Sequence, residues 1–338
     1  MYFLSIIASL SLILTLGVMT NSNNAFADTT DSGIEYYISD GQVIICGYSG
    51  NDPELDIPSK IDGCPVTTID EYAFSYRKDL TSIKLPDSVT SIGWESFNEC
   101  SNLKNIKLSS KLKTIGFHAF ENCKSLTNLV IPSSVTSIDE CAFKNCENLT
   151  NLVIPNSVTY IEQSAFKNCF RLTNIKLPDK LKVINSSTFE NCTNIENIEI
   201  PDKVEEIGSS TFSGCISLKN IKINSPSISI GSYAFSDCNS LESIVLPEEL
   251  ESIKQYTFAG CSNLKSVQLD EKLNSIESNA FYECSNLKNI NLPESLTSIN
   301  DNSFYGCISL ETITIPANVK YISENAFENC PSLNTIVV

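Results

Sequence analysis

The residues best suited to chemistry in this sequence are its 14 cysteines. Zinc sites space paired cysteines by about two to four residues, whereas eleven of these recur every 23 residues, so we predict no metal site. Stacked thiols would lie close together, but their parallel Cβ vectors do not suit a disulfide. We therefore predict a column of buried free thiols that act as small apolar side chains. The column is Cys100, Cys123, Cys146, Cys169, Cys192, Cys215, Cys238, Cys261, Cys284, Cys307 and Cys330.

Two further cysteines lie near the N-terminus, outside the periodic series. In an exported protein, Cys46 and Cys64 are the pair that we expect to form a disulfide. Arg77 stands where the first repeat would carry its column cysteine, which fits an end of the column that faces solvent.

Catalytic chemistry has little support in the sequence. Catalysis needs several convergent groups that differ from their surroundings, but the chain has one histidine, two arginines and no Gly-x-Ser-x-Gly or phosphate-binding loop. The enzyme alternative is a parallel β-helix that acts on polysaccharide, whose loops would interrupt the repeat to form a cleft. No repeat from Phe74 onward carries an insertion. We therefore predict a non-catalytic protein without a cofactor.

Aromatic residues give the best candidate for partner contact. Trp94, the single tryptophan, and Phe117 share one repeat position in adjacent repeats, so they should be neighbours, with His118 alongside. Large aromatic side chains are typical anchors of protein interfaces. A second candidate is Val130 with Val153, the only apolar spot among the exposed residues of one strand. The alternative for that second surface is an ordinary β-sheet face.

A strict repeat must position these residues. Phenylalanine recurs at intervals of 23 residues without an insertion, and a fixed period of this length is the mark of a solenoid. We therefore predict about twelve coils of 23 residues, each stacked on the next. The phenylalanines are Phe74, Phe97, Phe120, Phe143, Phe166, Phe189, Phe212, Phe235, Phe258, Phe281, Phe304 and Phe327.

The letters of one repeat predict its local structure. With Leu149 as position 1, apolar residues at positions 4 and 6 predict a first short strand, and proline at position 7 ends it. Apolar residues at positions 10 and 13 predict a second extended segment. Phenylalanine at position 18 and cysteine at position 21 fit one helical turn with both side chains inward. The irregular repeat at residues 218–240 predicts a local kink that preserves the coil.

The N-terminal region differs from the repeats. Residues 1–27 combine an apolar run with Ala25 and Ala27, which predicts a cleaved signal peptide, although an uncleaved membrane anchor is the alternative. Residues 28–54 predict a cap that contains a β-hairpin, with its turn at residues 39–42. Residues 55–338 form the predicted solenoid.

Charge restricts the class of partner. The net charge of −17 argues against nucleic acid, and no stretch of the mature chain predicts membrane insertion. We expect a secreted or cell-surface protein with a protein partner. The apolar last strand also predicts end-to-end self-association, or a longer natural product. A structural spacer or self-associating scaffold is the alternative to an adhesive role.

The phrase LxxIxLPxxVxxIxxxAFxxCxx resembles the repeats of the BspA-like leucine-rich-repeat surface proteins over residues 55–338. It departs from the commonest leucine-rich repeat by its proline at position 7 and by its lack of asparagine at position 9. The resemblance implies a right-handed solenoid with a parallel sheet on one face. It also implies an exported bacterial protein that adheres to host matrix proteins or to other cells, without assigning that role to particular residues.

Overall fold

A computed structural model describes residues 27–338. The predicted signal peptide, residues 1–27, lies outside the described residues except for Ala27. The described chain forms a solenoid of about 13 turns, each of about 23 residues, built from short parallel strands. This confirms the predicted repeat architecture.

Each coil supplies up to two short strands, which form two ladders along the solenoid. In chain order the strands are β1 (Asp28–Thr29), β2 (Ile34–Ser39), β3 (Gln42–Tyr48), β4 (Glu54–Asp56), β5 (Lys60–Ile61), β6 (Cys64–Ile69), β7 (Ser82–Lys84), β8 (Ser91–Ile92), β9 (Asn105–Lys107), β10 (Thr114–Ile115), β11 (Asn128–Val130), β12 (Ser137–Ile138), β13 (Asn151–Val153) and β14 (Tyr160–Ile161). They continue as β15 (Asn174–Lys176), β16 (Val183–Ile184), β17 (Asn197–Ile200), β18 (Glu206–Ile207), β19 (Asn220–Ile223), β20 (Ser229–Ile230), β21 (Ser243–Val245), β22 (Ser252–Ile253), β23 (Ser266–Gln268), β24 (Ser275–Ile276), β25 (Ser298–Ile299), β26 (Thr312–Thr314), β27 (Tyr321–Ile322) and β28 (Thr335–Val337).

The first-strand ladder begins with β4, β7, β9, β11, β13 and β15, which pair in parallel. Each residue pairs with the residue 23 positions later in the chain, so Leu129 lies beside Leu152. The central residue of each of these strands points inward and its neighbours point outward, because successive side chains of a strand alternate between faces. The second-strand ladder runs through β6, β8, β10, β12 and β14.

The cap continues the second-strand ladder. Strands β2 and β3 form the predicted hairpin, and Asp40 and Gly41 at its turn have φ of 50° and 71°. Positive φ at both central residues is the geometry of the turn that suits a two-residue hairpin. Strand β3 then pairs in parallel with β6, so the cap shares one sheet with the first coils.

Both ladders are disturbed at the irregular coil, residues 218–240. Strands β19 and β20 each pair with the preceding coil but with no strand of the following coil among the described residues. Phe235 nevertheless stacks on both neighbouring phenylalanines, with ring centroids 5.7 and 5.6 Å away. The structure therefore shows the predicted local irregularity with the coil preserved. A similar interruption between β15 and β17 was not predicted.

The phenylalanine column is the centre of the core. Adjacent rings lie nearly parallel, with centroids 5.0 Å apart for Phe97 and Phe120 and 5.7 Å apart for Phe189 and Phe212. The rings from Phe74 to Phe304 are fully buried. Burying each side chain contributes about 1.5–3 kcal/mol before the cost of ordering the chain is subtracted.

The predicted helical turn is wrong. No residue in the range 27–338 is helical; the segment around each phenylalanine is instead a series of tight turns. Its residues at positions 16 and 20 adopt positive φ in nearly every coil, as at Ser164 (57°) and Asn168 (61°). Alternate N–H groups donate to the next coil, as Phe97 N does to Ala119 O at 2.8 Å. A right-handed helix admits neither feature.

Candidate functional site

The periodic cysteines form the predicted column of buried free thiols, with only the last one half-buried. Each Sγ also donates to the carbonyl oxygen of the phenylalanine in the preceding coil, at 3.0–3.3 Å. Burial raises the pKa of Cys100 to about 12 and that of Cys215 to about 12. The thiolate is the reactive form of cysteine, so these thiols are structural and inert.

Arg77 is half-buried against the cap, whereas the sequence led us to expect that this end of the column faces solvent. Its guanidinium donates to the carbonyl oxygens of Tyr48 and Gly50 and to the carboxylate of Asp79. The guanidinium carbon also lies 4.5 Å from the centroid of the Tyr48 ring. The arginine therefore fastens the first coil to the cap, because its long side chain reaches back over the end of the thiol column.

The structure does not bring Cys46 and Cys64 together. Both are free, half-buried thiols. In the β3–β6 register Ile45 pairs with Ile69 and Val43 with Val66, so the two cysteines lie about five residues apart along the strands. That separation is about 16 Å at the rise of a strand, well beyond the ~7 Å limit for the Cα atoms of a disulfide. The predicted disulfide is therefore absent from this fold.

Trp94 and Phe117 are neighbours, as their shared repeat position predicted. Their rings meet edge to face, with centroids 5.5 Å apart and planes at 81°. Tyr72 extends the group from the preceding coil, with its centroid 5.9 Å from that of Trp94. His118 lies against Phe117 at 3.9 Å. We call these four residues the aromatic cluster.

The aromatic cluster is accessible. The exposed fraction is 42% for Trp94 and 49% for Tyr72, while Phe117 and His118 are half-buried. Most phenylalanines of the described residues are instead in the core, where the phenylalanine column excludes water. An exposed, well-packed tryptophan group is the kind of surface that anchors protein interfaces.

An ionic group supports the aromatic cluster. The His118 imidazole contacts the carboxylate of Glu121, whose other oxygen lies 2.9 Å from Lys144 Nζ. Glu121 is only 9% exposed, so its charge is held between these two partners. The hydrogen bond that Lys144 donates to the Glu121 carboxylate raises the pKa of Lys144, which keeps the ammonium charged. Sequence reasoning missed this group, although the 23-residue spacing between Glu121 and Lys144 indicates stacked neighbours.

Val130 and Val153 lie elsewhere on the coil. They pair across β11 and β13 on the outer face of the first-strand ladder, where they are 80% and 69% exposed. Trp94 lies in the turn that follows the second strand. The structure therefore brings the two valines together but gives them a surface separate from the aromatic cluster.

The described part of the chain offers no other chemical centre of the usual kinds. Within residues 27–338, no group of three His, Cys, Asp or Glu residues is arranged to hold a metal ion. No helix in that range is long and apolar enough to cross a bilayer.

Comparison with protein families finds the BspA type leucine rich repeat region, with six copies that match residues 67–196, 182–285 and 228–338. These matches cover most of the chain and nearly all of its coils. A comparison with curated protein sequences finds no match.

Solved structures of bacterial proteins share the fold. A leucine rich cell surface protein from Faecalibacterium prausnitzii is 31% identical with a TM-score of 0.65, and the match covers 94% of this chain and 96% of that one. A leucine-rich repeat protein from Bacteroides ovatus is 27% identical with a TM-score of 0.70, covering 91% and 94%. The T. pallidum leucine rich repeat protein is 30% identical with a TM-score of 0.52, covering 63% and 90%.

Proposed function

We propose that this chain is an exported surface protein that adheres to a protein partner without catalysis. The chain belongs to the BspA type leucine-rich-repeat family, and this membership is the starting point of the proposal. The similar protein from F. prausnitzii is described as a cell surface protein. The apolar run and small residues of residues 1–27 support export through a cleaved signal peptide. The partner is a protein of the host matrix or of another cell surface.

The observation that carries the proposal is the exposed aromatic cluster. Trp94 and Phe117 pack edge to face, so a partner would meet a surface that is already ordered. Such preorganisation lowers the entropic cost of binding. Lys144 beside it, with its side chain 30% exposed, offers a charged group to a polar rim, which is typical of interfaces between soluble proteins.

The test is binding of the mature protein to a panel of purified matrix proteins and to whole cells. We expect the double variant Trp94→Ala, Phe117→Ala to lose at least tenfold in affinity for the partner, because truncation of an anchor residue commonly costs more than about 2 kcal/mol. The single tryptophan is also an intrinsic probe, so binding at this site should shift its fluorescence emission.

A matched control removes exposed aromatic area from another surface. Tyr160 and Tyr321 are 65% and 52% exposed and lie in the second-strand ladder, so Tyr160→Ala, Tyr321→Ala should leave binding unchanged. A Val130→Thr, Val153→Thr variant tests the valine surface separately. If every variant binds the panel as the wild type does, the contact lies elsewhere. Absence of any binding would favour the spacer role.

A further inference from the structure

Four tyrosines form a second aromatic surface, far along the chain from the aromatic cluster. Tyr233 stacks on Tyr256 with ring centroids 4.5 Å apart, and Tyr282 stacks on Tyr305 at 4.8 Å. The two pairs come from four consecutive coils, the first pair at repeat position 16 and the second at position 19, and we call the four residues the tyrosine ladder. All are half-buried except Tyr233, which is 40% exposed. Burial and then the charge of Glu283 raise the pKa of Tyr282, so its hydroxyl stays protonated and can donate.

A groove of about 560 Å³ is lined by Tyr305, the last residue of the tyrosine ladder. Its lining includes Asp237, Gly260, Glu283, Tyr305 and Gly306. The two glycines occupy repeat position 20, with φ of 73° and 70°. The acidic side chains of the preceding coils lie over these glycines, because a Cβ on Gly260 would meet Asp237 Oδ1 and a Cβ on Gly306 would lie 3.1 Å from Glu283 Cγ.

The same position is filled in the middle of the solenoid. There Asn122, Asn145, Asn168 and Asn191 stack as an asparagine ladder, with each Nδ2 donating to the preceding Oδ1 at 2.7–2.9 Å. Asparagine satisfies the positive φ of this position and also occupies the surface beside it. Along the groove the same position is occupied instead by Asp237, Gly260, Glu283 and Gly306, before Asn329 in the last coil.

The surface around the groove carries charge of one sign. The turn segments at residues 232–240, 255–263, 278–286, 301–309 and 324–332 contain no lysine or arginine. Their acidic residues are Asp237, Glu283, Asp301, Glu324 and Glu328. Several lysines of these coils form ion pairs outside those segments, as Lys265 does with Glu242 and Lys272 with Glu249.

We propose that this groove binds an extended, arginine- or lysine-containing segment of a protein partner. The inference rests on the proposed adhesive function and gives it a second contact. Carboxylates at Asp237 and Glu283 would accept charge-assisted hydrogen bonds from a guanidinium, and the Tyr305 ring would pack against the aliphatic stem of the same side chain. A glycan fits less well, because the rings of each tyrosine pair stack on one another and so cover one face of each ring.

The experiment measures binding of a labelled peptide in which arginine alternates with serine, at about 150 mM salt to suppress long-range attraction. Asp237→Asn, Glu283→Gln should weaken binding about tenfold. The control is Glu248→Gln, Glu271→Gln, which removes the same charge from a different repeat position in the same region of the solenoid and should change affinity less than twofold. Equal losses in the two variants would show non-specific attraction to an acidic protein and would overturn the proposal.

A second pair of variants leaves the charge untouched. Gly260→Asn, Gly306→Asn places a residue that the backbone accepts where the Asp237 and Glu283 side chains now lie. It should weaken binding of the arginine peptide at least fivefold, because it displaces both carboxylates and fills the groove. Gly214→Asn, at the same repeat position outside the groove, should have no effect. Thermal melts that match the wild type establish that each variant is folded.

Two further outcomes would also overturn the proposal. One is unchanged peptide affinity in both groove variants, and the other is binding of a neutral oligosaccharide at the groove without binding of the peptide. Neither outcome would contradict the proposed adhesive function. The Trp94 and Phe117 variants test that function at a different surface and with different ligands.

Discussion

The inner and outer sides of the same turns differ in almost every respect. Inside, phenylalanine and cysteine recur with hardly a change, and their side chains contact their own kind in the next coil. Outside, positions 15, 16, 19 and 22 change from coil to coil, and they carry Trp94 near one end and Tyr282 near the other. The difference separates two tasks, because the uniform columns specify the fold and leave the outer positions free to vary.

The outer side itself differs between its two halves. Around the aromatic cluster, basic and acidic residues are mixed, as in the contact of Lys144 with Glu121. Around the tyrosine ladder, the turns carry acidic residues alone. One solenoid thus presents two aromatic surfaces with different electrostatics, and we expect them to select different chemistry in a partner.

Among these changes, alkaline pH should lower the stability of the fold most, because it acts on the buried thiol column of the inner side. The folded pKa of the column thiols lies above that of an unfolded cysteine because of burial, so stability is complete below about pH 8.5 and falls as pH rises toward 12. Each thiol contributes a slope of up to about 1.4 kcal/mol per pH unit in that window. Urea unfolding at a series of pH values checks this.

A variant with fewer column thiols is the control for the pH series. Cys146→Ala, Cys169→Ala, Cys192→Ala should lose stability less steeply with rising pH, whatever its stability at neutral pH. A urea midpoint that stays constant between neutral pH and pH 10 in the wild type would contradict the account of the column.

Truncation of one phenylalanine of the inner column should have the next largest effect on stability. Phe189 stacks at 5.7 Å on both of its neighbours and is fully buried, so Phe189→Ala should lower the free energy of unfolding by about 3–5 kcal/mol. Phe189→Leu should cost less, since it keeps more of the buried volume. Equal stability of the alanine variant and the wild type would show that the column does not hold the coils together.

The asparagine ladder is half-buried, between the inner and outer sides. Substitutions in it should therefore have an intermediate effect on stability. Asn168 has φ of 61° and bonds to Asn145 and Asn191, so Asn168→Ala combines strain at positive φ with lost hydrogen bonds, about 2 kcal/mol in all. Asn168→Gly removes the strain and should cost about half as much. The reverse order in urea unfolding would show that backbone conformation does not limit this position.

Outer substitutions should barely change stability. Val130→Thr, Val153→Thr alters two side chains that are 80% and 69% exposed, and surface changes are usually within about 0.5 kcal/mol. A melting temperature several degrees lower would mean that this face contributes to the fold, and the contrast between the two sides would weaken.

The repeat was sufficient to predict what depends on stacking alone. A shift of 23 residues places Trp94 beside Phe117 and each column cysteine beside the next, whatever the local backbone does. The hairpin followed from its own turn residues, Asp40 and Gly41.

The features that the sequence did not predict depend on local geometry. The i, i+3 spacing of phenylalanine and cysteine fits a helical turn and a tight turn equally well. Only the frequent Asn, Asp and Gly at position 20, such as Asn168, indicated positive φ. Arg77 reaches the cap through a long side chain, and the separation of Cys46 from Cys64 depends on the β3–β6 register, so neither follows from the period.

The most direct test of the division between the two sides measures melting temperature and partner binding together for one outer and one inner variant. We predict that Trp94→Ala, Phe117→Ala melts within about 3 °C of the wild type and loses at least tenfold in affinity. Cys169→Ala should melt several degrees lower and bind the same partner unchanged. An outer variant that binds as the wild type does, or that loses stability as much as the inner one, would contradict the account.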